Sequence, residues 1–166
     1  GAAAGRVGSG DGGAGSTGVG GRHPDVSHLV FLAAFALKKD GSVMSALTSM
    51  PPREVGLSAA MRPGPDGTTV LDPVAAVPAL YGSCDAAVVE AAVKRLSPQP
   101  MATMMQAVTG SPLDTIASTY VVCTEDDAVH PDHQAIMAER CTHTVTMHTD
   151  HSPFASMTVE TAEVLE

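Results

Sequence analysis

"STYVVCTEDDAVHPDHQAIMAERC", Ser118 to Cys141, is the stretch on which the fold turns. Its first six residues, Ser118–Cys123, form a short apolar run that predicts a buried strand. Pro131–Cys141 predicts a helix, and the polar "TEDD" between them predicts a loop. Downstream, "TVTMH" (Thr144–His148) predicts another strand, "TDHSPF" (Thr149–Phe154) a short loop, and Met157–Leu165 a closing helix. Upstream, "RHPDVSHLVFLAAF" places a turn at Pro24 and Asp25 and a buried strand over His28–Leu32. The order is strand, inserted helices, strand, helix, strand, helix. It predicts an α/β fold: a small parallel sheet of about three strands with crossover helices.

Composition narrows the class. The chain has 166 residues, enough for one domain with a real core and short for two. Apolar residues make up 44 %, only 3 % are aromatic and tryptophan is absent, so Ala, Val, Leu and Met must build the core. A net charge of −9 repels a phosphate backbone and argues against nucleic acid as a partner. The apolar run Leu29–Leu37 is about half of the ~20 residues a membrane helix needs, so no membrane span is expected. Cys84, Cys123 and Cys141 are an odd number without framework spacing, which predicts reduced thiols in a cytoplasmic protein.

Residues 1–21 stand apart as a Gly/Ala-rich segment with ten glycines, expected to be flexible; residues 22–166 form the domain. Prolines recur from position 51 to 112, so short helices are expected there, notably Asp85–Leu96 with Asp85 as its cap.

The quoted blocks "RHPDVSHLVFLAAFAL", "LSPQPMATMMQAV", "STYVVCTEDDAVHPDHQAIMAERC" and "TDHSPF" together resemble the α/β-hydrolase fold family. Within it, the blocks look most like the small bacterial esterases related to plant hydroxynitrile lyases and methylesterases. The four blocks occur in family order with family-like spacing over residues 22–166. The resemblance implies a truncated α/β-hydrolase: a C-terminal half with a helical cap inserted at about residues 38–112, closing over an apolar pocket. It also implies a catalytic acid at Asp126 and a catalytic histidine at His151. A small apolar ester or acyl compound is the implied substrate, with no cofactor and no metal. Because the branch includes lyases with similar residues, hydroxynitrile cleavage stays open beside ester hydrolysis.

Elementary chemistry points to the same pair. A general base needs a neutral imidazole held in one tautomer by a carboxylate. Asp126 follows one parallel strand and His151 the next, and active groups in open α/β sheets gather beyond the carboxyl ends of strands. Acid before histidine is the chain order of this fold. Asp127 competes as the acid; Asp126 is nearer the strand and fits the motif. Read without the resemblance, a surface aspartate and a loop histidine remain an alternative.

The nucleophile is the missing part. The fold needs a turn of the form G-x-S-x-G. The matching frame is Gly8 to Gly12, "GSGDG", which puts Gly10 at the nucleophile position and Ser9 one residue early. Ser9 is the candidate substitute. Only five residues separate Ser16 from Arg22, too few for the helix that must follow. Six glycines in residues 12–21 would cost such a helix about 6 kcal/mol relative to alanine. The chain therefore reads as a hydrolase whose front is missing or scrambled, for which a shifted reading frame in GC-rich DNA is one account.

Other signals are weaker. "GSGDGG" (Gly8–Gly13) satisfies G-x-G-x-x-G, but no strand is expected before it and no helix former follows. His130, His133, His143 and His148 read as solvated surface groups rather than a metal cluster. Methionines 44, 50, 61, 101, 104 and 105 suit an adaptable pocket or plain core filling. A missing front would leave strand His28–Leu32 with an open apolar edge, which predicts self-association. Two functions follow: an esterase-like hydrolase working through Asp126 and His151, or a catalytically inactive remnant that binds small apolar ligands.

Overall fold

The structure, a computed structural model, describes residues 4–9 as backbone, and residues 26–110 and 112–166 in full. Its centre is a parallel sheet of β1 (Ala4–Ser9), β2 (Val26–Leu32), β6 (Ala117–Cys123) and β7 (His143–Met147), in the order β1-β2-β6-β7. The three strands expected from sequence are all present within a residue or two of their predicted bounds. The fourth, β1, corrects the reading of the Gly/Ala-rich start, at least over residues 4–9. A strand needs a neighbour to bond more than it needs a side-chain pattern, and β1 runs in register beside β2 from Gly5↔His28 to Ser9↔Leu32. The inner edge of β2 is therefore covered, and a strand does lead into Gly8–Gly13.

The apolar runs of β2 and β6 follow from burial on both faces. Leu29, Phe31, Tyr120 and Val122 point to one side, where they pack with Met137 and Ala138 of α6 (Pro131–Ala138). Val30, Leu32, Val121 and Cys123 alternate to the other side and meet Met147 and Val164, the latter on α8 (Thr158–Leu165). Phe31 and Tyr120 are register partners whose rings stack at 6.2 Å between centroids. The fully buried Tyr120 hydroxyl donates to the Ala34 carbonyl at 2.6 Å and pins the chain as it leaves β2. Just before it, Ala33 takes a left-handed φ of 45°, a strained conformation for a residue with a Cβ.

Between β2 and β6 lie α1 (Val43–Ser49), α2 (Gly56–Ala60), α3 (Pro73–Tyr81), α4 (Ala86–Val93) and α5 (Met101–Met105). The Ser42 and Ser45 side chains form a reciprocal capping box that starts α1. The expectation of helices alone is incomplete. A small antiparallel sheet, β3 (Met61–Pro63), β4 (Thr68–Leu71) and β5 (Gln99–Pro100), joins residues 61–71 to residues 99–100. Strands of two to four residues beside prolines carry no readable period. Asp85 does stand at the N-cap of α4, but its side chain makes no capping hydrogen bond. Among the described residues no helix is long and apolar enough to cross a membrane.

Candidate active site

Two loops beyond the carboxyl ends of β6 and β7 build the site. The strands are paired up to Cys123↔Met147. The pairing continues past them: Thr124 N–H donates to the Met147 carbonyl and Glu125 N–H to the Thr149 carbonyl, both at 3.0 Å. Asp126 and His151 therefore leave the sheet side by side. His151 Nδ1 lies 2.8 Å from Asp126 Oδ2, and both residues are buried.

Asp126 receives four donors. Its Oδ1 accepts from Ala128 N–H at 2.7 Å and Val129 N–H at 2.9 Å, a turn in which the carboxylate bonds the backbone just ahead of it. Its Oδ2 accepts from Gln134 Nε2 at 2.8 Å as well as from His151. Every lone pair faces a donor, so Nδ1 of His151 is the protonated nitrogen of the pair. In the neutral ring Nε2 then keeps its lone pair. Among the described residues Nε2 has no hydrogen-bond partner. A neutral imidazole with Nδ1 fixed by a carboxylate and Nε2 free is the form a general base requires.

Asp127 does other work. Its Oδ1 accepts from Gly56 N–H at 2.7 Å and its carbonyl from Leu57 N–H at 3.1 Å, which ties the start of α2 to the Asp126 loop. Asp150, next to His151, was not singled out from sequence and is buried. Its Oδ1 accepts from Ser152 N–H at 3.1 Å and Ser156 Oγ at 2.9 Å, while Oδ2 accepts from Ser83 N–H at 2.9 Å. Gln134 was also missed. A glutamine between His133 and Ala135 in a helix has the sequence signature of a solvent-facing residue, yet it is fully buried.

Ser9 ends β1 on the same rim of the sheet as Asp126 and His151, with β2 and β6 between it and β7. Gly10 and Ser16 lie outside the described residues. His133 corrects the surface reading: it is buried, with Nε2 2.7 Å from the Pro51 carbonyl oxygen. His130 caps α6 by accepting from Asp132 N–H at 3.1 Å. His148 is exposed, with Nδ1 3.0 Å from Thr124 Oγ1.

The thiols around the site are poor nucleophiles. Burial, with Asp126 and Asp150 adding to it, pushes Cys123 up to about 12. Burial and the neighbouring Asp150 push Cys84 up to about 11. A cavity of about 530 Å³ opens between α4 and α7 (Pro153–Ser156), the short helix after His151. Its walls include Tyr81, Val88, Ala92, Leu96 and Phe154, with Arg95 as the one cation among them.

Solved structures share this fold at low sequence identity. Polyneuridine aldehyde esterase superposes with a TM-score of 0.79 at 17 % identity, over 97 % of this chain and 69 % of its own. A methylesterase from Arabidopsis gives 0.73 at 19 %, over 96 % and 66 %. Tomato methylketone synthase I, complexed with 2-tridecanone, gives 0.72 at 17 %, over 96 % and 67 %. No curated protein matches the chain. The sequence pattern described as "Alpha/beta hydrolase family" matches residues 3–164, nearly the whole length, and the chain belongs to that family.

Proposed function

We propose that the chain is built for hydrolysis of small, apolar carboxylic esters or related acyl compounds, with His151 as general base and Asp126 as its orienting acid. The observation that carries this reading is the 2.8 Å bond between His151 Nδ1 and Asp126 Oδ2, with Nε2 free of partners among the described residues. Residues 38–112 act as the cap, and the mostly apolar lining of the cavity between α4 and α7 suits an apolar substrate group. Two of the similar structures are of esterases, and a third holds an apolar ketone. Ser9, at the end of β1, is the candidate nucleophile. Nε2 would take the hydroxyl proton as the serine oxygen attacks the ester carbonyl, then return it to the departing alkoxide; water would clear the acyl group by the same route.

Gly10 supports a second reading. It stands where G-x-S-x-G requires serine and offers no atom to attack with. On that reading the chain is a non-catalytic relative that binds small apolar acyl compounds under its cap. Release of nitrophenol from a short-chain nitrophenyl ester separates the two. Catalytic hydrolysis lost in both His151→Ala and Ser9→Ala supports the first reading. Rates equal to buffer in all three proteins leave only the second.

A further inference from the structure

Gln134 touches the Asp126–His151 pair without a role in the scheme above. We propose that it is a positioning residue: its side-chain amide locks the Asp126 carboxylate so that Oδ2 faces His151 Nδ1. This rests on reading that pair as the proton-moving centre of the site.

The geometry dictates which way the amide points. Cys123 N–H, at the end of β6, can only donate, and it lies 2.9 Å from Gln134 Oε1. The Val129 carbonyl can only accept, and it lies 2.7 Å from Nε2. A flipped amide would set nitrogen against an N–H and oxygen against a carbonyl, so Nε2 must face Asp126 Oδ2, at 2.8 Å. The residue is fully buried, so these bonds are made away from solvent. Gln134 thus joins the end of β6, the turn after Asp126 and helix α6 at one point. Ala128 and Val129 hold only Oδ1; without Gln134, Oδ2 would keep a single partner, the imidazole it is meant to orient.

The test reads the pair itself, by proton NMR of ¹⁵N-labelled protein. The His151 Nδ1–H resonance is assigned by its disappearance in His151→Ala. In the unaltered chain, the Gln134 side-chain amide protons should exchange slowly with water and give a cross-peak to that resonance. Gln134→Glu keeps the acceptor for Cys123 N–H but brings no donor to Asp126; Gln134→Met removes both. Both variants are expected to lose the Nδ1–H signal or shift it upfield. Tyr120→Phe, which deletes a buried hydrogen bond elsewhere in the same core, should leave it in place. An unmoved resonance in folded Gln134 variants overturns the proposal. So does a Gln134 amide that exchanges as fast as that of exposed Gln106, and this second measurement decides if the variants do not fold. Absence of ester hydrolysis alongside an intact Gln134 cross-peak would sink the functional reading and leave the positioning role standing.

Discussion

At Asp126, four donors converge on two oxygens, and the consequences of removing them differ in kind. Asp126→Asn keeps the shape but sets an amide N–H against one of those donors and favours the wrong imidazole tautomer. If the site turns over esters, the rate should fall by about 10⁴, the drop a serine protease shows when its triad aspartate becomes asparagine. Asp126→Ala leaves the Ala128 and Val129 amides and the Gln134 side chain short of an acceptor in a buried place. A loss of about 3–5 kcal/mol in urea denaturation is expected. Cys123 makes a prediction in pH. Its thiol is raised to about 12 when folded, against 9.0 in an ordinary setting. Below roughly pH 9 both states hold the proton and the group is silent. Between roughly 9 and 12 the unfolded chain gives it up first, so stability falls as pH rises. The denaturation midpoint should drop across that window, and Cys123→Ala should flatten the slope whatever it does to the absolute value. Asp126 and His151 were legible in the sequence because each follows a strand in a recognisable motif. Gln134 was not, because nothing in "HPDHQAIMAERC" says that the helix turns its one amide inward.

Elements were legible where they were long or apolar. The strands after residue 25 and helices α6 and α8 carry enough period and end signals to be placed. The small sheet inside the inserted segment does not, since a two-residue strand such as Gln99–Pro100 exists only through its partner. The docking of that segment was equally hidden, because it uses carboxylates that look like ordinary loop charges. Asp127 holds Gly56 and Asp150 holds Ser83, each from the residue next to a member of the candidate pair. A Cβ at position 56 would sit 2.0 Å from Asp127 Oδ2. Gly56→Ala should therefore swing that carboxylate away and speed hydrogen exchange at the amides of residues 56 and 57. Since Asp127 is exposed, overall stability should change by less than about 1 kcal/mol. Asp150→Asn has one acceptor oxygen where the carboxylate has two. The buried Ser152 amide should keep it and Ser83 should lose its partner. Faster exchange at Ser83, with about 1–2 kcal/mol lost in denaturation, is the expected result.

For the whole molecule, the sheet's outer strand decides how copies behave toward one another. Read from sequence, the open edge belonged to β2, and its apolar side chains made association a matter of hydrophobic contact. With β1 in place, β2 is internal and paired on both sides over His28–Leu32, and among the described residues the outermost backbone on that side belongs to Ala4–Ser9. Alternate residues of an edge strand offer N–H and C=O groups to any strand that arrives. The chain also spans only about two thirds of the length of the structures it resembles. Self-association through the β1 edge is therefore expected, driven by main-chain pairing rather than by an apolar face. Sedimentation equilibrium should show weight-average mass rising with concentration. Val7→Pro, which removes a main-chain donor within β1, should lower that tendency if the donor faces outward. If it faces β2 instead, the strand itself is lost and the β2 edge is laid open, so association should increase. A mass that stays at 16.9 kDa across all concentrations in the unaltered chain would rule the edge out as an interface.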